Sequence, residues 1–154
     1  MAIKAIKTGL LIAPFILVIN HDFYSISRVK DASFFPILNK YLETSTSFIE
    51  DDYVLVKILG DNYKPKSIKD KLVRVITPDY RRVYRKVECI EGEWCPSPGG
   101  FVFVQSGHAW VSGSDTPSHA VPLATIEGTV EAIVWPLDRV QIIQNPIIDL
   151  TNPK

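Results

Sequence analysis

The chain has no excess of either charge: lysine and arginine together number 17, aspartate and glutamate also number 17, and the net charge is zero. A protein without a basic excess lacks the overall electrostatic attraction that nucleic acids and acidic membrane surfaces need. Near-neutral charge instead favours association, because little self-repulsion keeps copies or partners apart. The composition therefore argues against a nucleic-acid partner and favours protein partners within a complex.

Cysteine is scarce, and Cys89 and Cys95 are the only two in the chain. Their Cys-x5-Cys spacing matches neither a common zinc knuckle nor a Cys-x-x-Cys redox motif. A disulfide is possible if the residues between them form a tight loop, and two unpaired thiols are the alternative. The histidines stand apart, without acidic or thiol companions at metal-ligand spacing; they are His21, His108 and His119. We therefore expect neither a metal nor another cofactor.

Long apolar runs are also missing, except for one of moderate length near the N-terminus. No charge interrupts the chain between Lys7 and Asp22. As a helix this run would span about 21 Å, and a bilayer core needs about 30 Å. Snorkelling lysines and apolar flanks can supply the difference. We interpret residues 1–23 as a membrane anchor; a cleaved signal peptide and a buried soluble helix are the alternatives. With Lys4 and Lys7 on the retained side, the rest of the chain lies across the membrane.

Beyond this segment, apolar and polar residues alternate with the period of two that is typical of β-strands. The predicted strands are 24–29, 53–58, 72–76, 82–90, 101–104, 108–111 and 129–135. The turn signal at 77–79 predicts a hairpin between the third and fourth of them. Short strands separated by glycine and proline predict a mainly β domain, a barrel or coiled sheet, over residues 24–143. Residues 144–154 are predicted to form an extended arm that becomes ordered only on a partner.

Basic residues gather in the middle of the chain. We interpret most of them as solvated outer faces of strands, and contact with an anionic lipid or an acidic partner is the alternative. The residues are Lys64, Lys66, Lys69, Lys71, Arg74, Arg81, Arg82, Arg85 and Lys86.

Three stretches, in order along the chain, resemble one known family. They are the apolar run followed by RVKDASFFPILN at 28–39, LVRVI at 72–76, and a third from GHAWV at 107–111 through VPL at 121–123 to IVWP at 133–136. These stretches are similar to three parts of type I signal peptidases. The first part is the anchor with the nucleophile loop R-V-x-G-x-S-M-x-P-T/S-L-N, and the second is the K-R-V-I strand. The third comprises the segments G-H-x-W-V, G-P-V-x-L and V-x-x-I-L-W-P. The form resembled is the second catalytic subunit of the mitochondrial inner-membrane peptidase. The resemblance implies a signal-peptidase-like antiparallel β domain behind an N-terminal membrane-anchor helix. It also implies the mitochondrial inner membrane, with the domain facing the intermembrane space.

The resemblance further implies a site for amide hydrolysis by a serine–lysine pair. Serine needs a base within hydrogen-bond reach, and lysine serves only when burial lowers its pKa. Ser33 stands at the nucleophile position, but Val73 stands at the position of the base and cannot accept a proton. Asp31 replaces a glycine, so a carboxylate lies beside the implied oxyanion pocket, where negative charge is unfavourable. Phe34 replaces a methionine.

Two further details bear on activity. The family's D-S-x-x-F-G-P segment, which supports the lysine, has no full match in residues 112–122. Lys71 lies on the same strand face as residue 73, displaced by about 7 Å, so a side chain bent back toward Ser33 is the alternative base. We predict that Ser33 and Val73 face each other across a cleft without a lysine amine in reach.

The function expected is that of a catalytically inactive homologue, a structural or accessory subunit of a mitochondrial inner-membrane complex. Its expected partners are the protein subunits of that assembly. The alternative is an active peptidase subunit that processes proteins sorted to the intermembrane space. A third possibility is the non-catalytic half of a peptidase heterodimer.

Overall fold

The fold is a set of antiparallel strands. The structure, a computed structural model, describes residues 23–30, 34, 38, 51–60, 62–113 and 116–143. The strands are β1 (Tyr24–Arg28), β2 (Tyr53–Ile58), β3 (Leu72–Ile76), β4 (Arg82–Ile90), β5 (Trp94–Ser97), β6 (Gly100–Phe103), β7 (His108–Ser112), β8 (His119–Pro122), β9 (Ile126–Trp135) and β10 (Gln141–Ile142). Short 3-10 turns lie at Pro65–Ile68, Leu123–Thr125 and Leu137–Arg139.

Eight of these strands form one sheet, in the order β1-β2-β9-β3-β4-β7-β8, with β10 paired to β9. The strand β9 has the most partners in the sheet, because it pairs with β2 and β10 along one half and with β2 and β3 along the other. The remaining two strands, β5 and β6, form a separate hairpin. All of these pairings are antiparallel, which confirms the predicted mainly β class.

The core is divided into two main clusters on the two faces of β3. Leu72 belongs to the first cluster, together with Val54, Tyr84 and Val130. The next residue, Val73, belongs to the second. Successive side chains of a strand point to opposite faces, and both faces of β3 are covered, so four of its five residues are buried. Burying apolar side chains on both faces stabilises this strand more than the outer ones.

Most strand predictions are confirmed within one to three residues, and 53–58, 72–76 and 82–90 match the observed strands. The predicted hairpin of β3 and β4 also forms, with Leu72 paired to Lys86 at its open end. Three strands were not predicted: β5, β8 and β10. Both β5 and β8 are four residues long and contain a proline. Proline has a low propensity for strands and is confined within sheets mainly to edge strands.

Within the described residues, no helix is both long and apolar enough to cross a membrane. The predicted anchor, apart from Phe23, and the predicted arm at 144–154 lie outside the described residues.

Candidate functional site

The chain leading to the predicted nucleophile is fixed by contacts at the end of β1. The Arg28 guanidinium pairs with the Asp51 carboxylate, and the Val29 amide donates a hydrogen bond of 2.9 Å to the Asp52 carbonyl oxygen. The Asp52 side chain, which has no exposed surface, is bound in turn by the Arg139 guanidinium at 2.6 Å. This ion-pair network joins the end of β1, the start of β2 and the turn after β9.

Ser33 and Asp31 lie outside the described residues. Two of their neighbours are described: Phe34 packs against the first core cluster, and Leu38 is fully buried in it. The Leu38 amide donates a hydrogen bond of 2.7 Å to the Phe34 carbonyl oxygen. Phe34 and Leu38 therefore both belong to the side of the core that contains Leu72.

Val73, at the position where the resemblance requires a base, is completely buried. Its neighbours in the second cluster are apolar, among them Ile68, Val111 and Val121. It therefore does not line an open cleft, and that part of the prediction is wrong. The physical reason is that Val73 lies on a central strand whose two faces are both covered. Its cross-strand partner Arg85 is an arginine, which stays protonated and cannot serve as a base.

Lys71, the alternative base, is in the turn before β3. Its amide donates to the Ile68 carbonyl oxygen at 3.2 Å, and its own carbonyl oxygen accepts from the Val87 amide at 3.0 Å. The side chain is half-buried, and no lysine among the described residues is buried.

The interpretation of the basic residues as solvated is wrong for two of them. Arg74 and Arg85 are buried, with 3% and 6% of their surface exposed. The Arg74 Nε atom lies 2.7 Å from a Glu127 carboxylate oxygen, although the angle is too poor for a hydrogen bond. Arg82 donates to the same oxygen at 3.1 Å. Buried arginines remain charged, so Glu127 offsets positive charge that would otherwise be buried without compensation.

Two of the outward-facing basic residues are also paired. Lys69 binds Glu93 at 2.6 Å, and this hydrogen bond is the main reason that the pKa of Glu93 is lowered. At the β3–β4 turn, Arg81 pairs with Asp79. Hydrogen bonds from Thr77 and Arg81 lower the pKa of Asp79. Four of the nine basic residues, Lys69, Arg74, Arg81 and Arg82, thus have acidic partners.

The two cysteines are joined in a disulfide, with Cα atoms 5.8 Å apart. Of the two alternatives left open by the sequence, the bonded one is observed. The disulfide ties the end of β4 to β5 and packs with Val104 and Trp110 in a third, smaller cluster. It thereby fixes the β5–β6 hairpin against the main sheet.

Replacing both cysteines (Cys89→Ser with Cys95→Ser) is expected to destabilise the protein by about 2 kcal/mol, because the short loop between them gains freedom in the unfolded chain. Urea unfolding of the full chain in detergent measures this loss. A reductant should lower the unfolding midpoint of the unaltered protein and leave that of the double variant unchanged. Equal midpoints for the unaltered protein and the double variant in the absence of reductant would contradict the expectation.

A groove of about 440 Å³ lies between β8 and the β3–β4 hairpin. Most of its lining is apolar, including Val75 and Val121, with Arg85 and His119 as its basic members. The His119 Nδ1 atom is 3.0 Å from the Pro117 carbonyl oxygen. Val73 is not part of this lining. In the described part of the chain, no group of three histidine, cysteine, aspartate or glutamate side chains is placed to hold a metal ion.

Two exposed apolar surfaces were not predicted from the sequence. One is a row of cross-strand neighbours, Ile26, Leu55, Ala132 and Ile142, on the outer face of the sheet. Ile26 and Ile142 at its ends are well exposed. The other is on the β5–β6 hairpin, where Trp94 contacts Phe103. The alternation in Trp94-x-Pro96 and Phe101-x-Phe103 is the signal that could have indicated this second surface.

Comparisons with protein-family models, curated proteins and solved structures gave no match. The resemblance to signal peptidases therefore rests on the motifs of the chain itself.

Proposed function

We propose that this chain is a catalytically inactive homologue of the mitochondrial inner-membrane signal peptidase and acts as a structural or accessory subunit of a mitochondrial inner-membrane complex. The observation that carries the proposal is the environment of Val73, which fills the implied position of the base with an apolar side chain in an apolar cluster. In another serine hydrolase, loss of the base lowers turnover on the order of a million-fold. Lys71 is a poor replacement, because the family's segment that supports the lysine has no full match in residues 112–122.

The contrast between framework and site supports the same proposal. An unneeded protein would lose core residues and catalytic residues alike. Here the core strands retain buried valine, leucine and isoleucine throughout, whereas Val73, Asp31 and Phe34 all depart from the family's pattern at the catalytic positions. A fold retained without its catalytic residues is expected to act through packing contacts, for which the exposed row from Ile26 to Ile142 is available.

The proposed location is the inner membrane, with residues 1–23 as the anchor and the β domain in the intermembrane space. The Cys89–Cys95 disulfide supports a compartment outside the reducing cytosol, because disulfides persist where thiols are not kept reduced. The apolar run after Lys4 and Lys7 supports the anchor and its orientation.

Ser33→Ala is expected to leave presequence processing, growth and assembly of the host complex unchanged. Removing one hydroxyl that takes no part in catalysis should alter stability within about 0.5 kcal/mol. Precursor processing is followed on gels of mitochondria from the variant strain, and assembly by native electrophoresis.

The matched control is Ser67→Ala, which removes a surface hydroxyl bound only to the Lys64 carbonyl oxygen. Deletion of residues 1–23 is the positive control, because loss of the proposed anchor should impair assembly. Accumulation of unprocessed precursors in Ser33→Ala, but not in Ser67→Ala, would identify Ser33 as a working nucleophile and the chain as an active peptidase. Co-purification with an active peptidase subunit after mild detergent extraction would instead identify the non-catalytic half of a heterodimer.

The chain is expected to resist extraction from mitochondrial membranes by alkaline carbonate. Residues from about Tyr24 onward should become sensitive to protease once the outer membrane is opened. Release of the intact chain into the soluble fraction would contradict the anchor, and protection of the β domain in mitoplasts would contradict the orientation.

A further inference from the structure

A cavity of about 410 Å³ is lined by residues of β1, β2, β3, β4 and β9, and its polar lining consists of Ser25, Arg74, Arg82 and Glu127. We call this cavity the arginine pocket. Successive side chains of a strand point to opposite faces, so Arg74 points away from its neighbour Val73, which belongs to the second cluster. The arginine pocket is therefore separate from the position at which the resemblance requires a base.

Arg74 lies in this pocket almost completely buried, yet with few hydrogen bonds. Its Nη1 atom donates to the Ser25 hydroxyl oxygen at 3.5 Å, which is long for a hydrogen bond. Its Nε atom faces Glu127 at a poor angle, and Arg74 makes no other hydrogen bond within the described part of the chain. A guanidinium has five N–H donors, and buried donors are normally satisfied. Arg74 can therefore donate to a further acceptor.

The charges of the pocket lining select the kind of acceptor. Arg82 donates through its Nε atom to the same Glu127 oxygen that Arg74 faces. The Nη atoms of Arg82 make no hydrogen bond to the described residues, and its side chain is exposed to water. Two guanidinium groups and one carboxylate leave one positive charge in excess. A singly charged anion balances this excess, whereas phosphate, with a charge of about −1.5 to −2, exceeds it beside Glu127.

The rest of the lining is apolar and consists of Ile58, Leu59 and Ile126. Ile126 is buried, and the other two are half-buried. The volume of the pocket is within the range of about 300–1,000 Å³ that is usual for small-molecule sites. An apolar wall beside two guanidinium groups fits a ligand that joins a short aliphatic chain to an anionic group.

We propose that the arginine pocket binds a small aliphatic acid, with its carboxylate on Arg74 and Arg82 and its aliphatic part against Ile58 and Ile126. A carboxylate is planar and carries a single charge, so it matches both the guanidinium fork and the charge excess. The Ser25 hydroxyl can donate a further hydrogen bond to it. This inference goes beyond the proposed function and does not depend on where the chain is located.

The experiment titrates the full chain, in zwitterionic detergent micelles and labelled with ¹³C at its isoleucine methyl groups, with three probes: butyrate, neutral butyramide and inorganic phosphate. The Ile58 and Ile126 methyl signals report on the pocket, and that of Ile90, in the second cluster, is the internal control. Butyrate should shift the Ile58 and Ile126 signals to saturation and leave Ile90 unchanged. Its Kd should be at least about ten-fold lower than that of butyramide, because hydrogen bonds between charged groups are the stronger ones.

Arg82→Met should raise the Kd for butyrate about ten-fold, and its exposed side chain makes the substitution mild for folding. Arg81→Met, one residue outside the lining, is the matched control and should leave this Kd unchanged. Equal affinity for butyrate and butyramide would overturn the proposal, as would an unchanged Kd in Arg82→Met or the absence of saturation. Tighter binding of phosphate than of butyrate would identify a phosphate site and would overturn it too.

Discussion

Gly128→Ala is expected to destabilise the protein by about 3 kcal/mol. Gly128 lies where β9 passes between β2 and β3, paired with Ile58 on one side and Arg74 on the other. A Cβ atom there would lie 2.4 Å from the Lys57 carbonyl oxygen and 2.7 Å from a Val56 methyl group. Because the first of these is a backbone atom of a paired strand, β2 and β9 would have to separate and lose hydrogen bonds. Chemical denaturation of the full chain in detergent measures the loss.

Gly60→Ala is the matched control, because a Cβ atom at Gly60 meets nothing within 4 Å. Its free energy of unfolding should stay within about 0.5 kcal/mol of the unaltered value. If Gly128→Ala were no more destabilising than Gly60→Ala, the close approach of β2 and β9 would be wrong.

Arg139→Met is the second substitution with a large expected effect, a loss of about 3 kcal/mol or more. The substitution removes the guanidinium that pairs with the fully buried Asp52 carboxylate. A buried charge that loses its partner strongly destabilises the folded protein. Thermal unfolding followed by circular dichroism checks the expectation. Asp52→Asn added to Arg139→Met should recover part of the loss, because a neutral amide costs less to bury than a carboxylate that has lost its arginine.

The control for this pair is Arg81→Met, which breaks the exposed pair with Asp79. Exposed ion pairs contribute little because water screens them, so no measurable change in unfolding is expected. A similar loss for Arg81→Met and Arg139→Met would show that burial of Asp52 is not the cause.

These two predictions concern the supports of the implied catalytic region. The ion pairs of Arg28 with Asp51 and of Arg139 with Asp52 hold the start of the segment that contains Ser33, and Gly128 holds β9 against β2 and close to β3. The proposed function requires this framework and not the hydroxyl of Ser33. Destabilised variants at Gly128 or Arg139 should therefore impair assembly, whereas Ser33→Ala should not.

The predicted strands were accurate where a segment is half-buried and long. In β4, Arg82–Ile90, the alternation extends over nine residues, enough for a local pattern to identify a strand. The pattern fails for β8 and β5, which are four residues long and are strands only because β7 and β6 pair with them. The predicted site was less accurate. Val73 is enclosed in the second cluster, so its predicted position facing a cleft was wrong.

By itself, the sequence determined the mainly β class, the β3–β4 hairpin and the absence of a base at position 73, because each depends on residue type and local alternation. Only the tertiary structure decided that Cys89 is bonded to Cys95, that Val73 is enclosed in the second cluster, and that Gly128 tolerates no Cβ atom. It also decided which apolar side chains remain exposed, among them Trp94. These properties depend on contacts between strands distant in the sequence, and no local pattern specifies which strand will cover a given face.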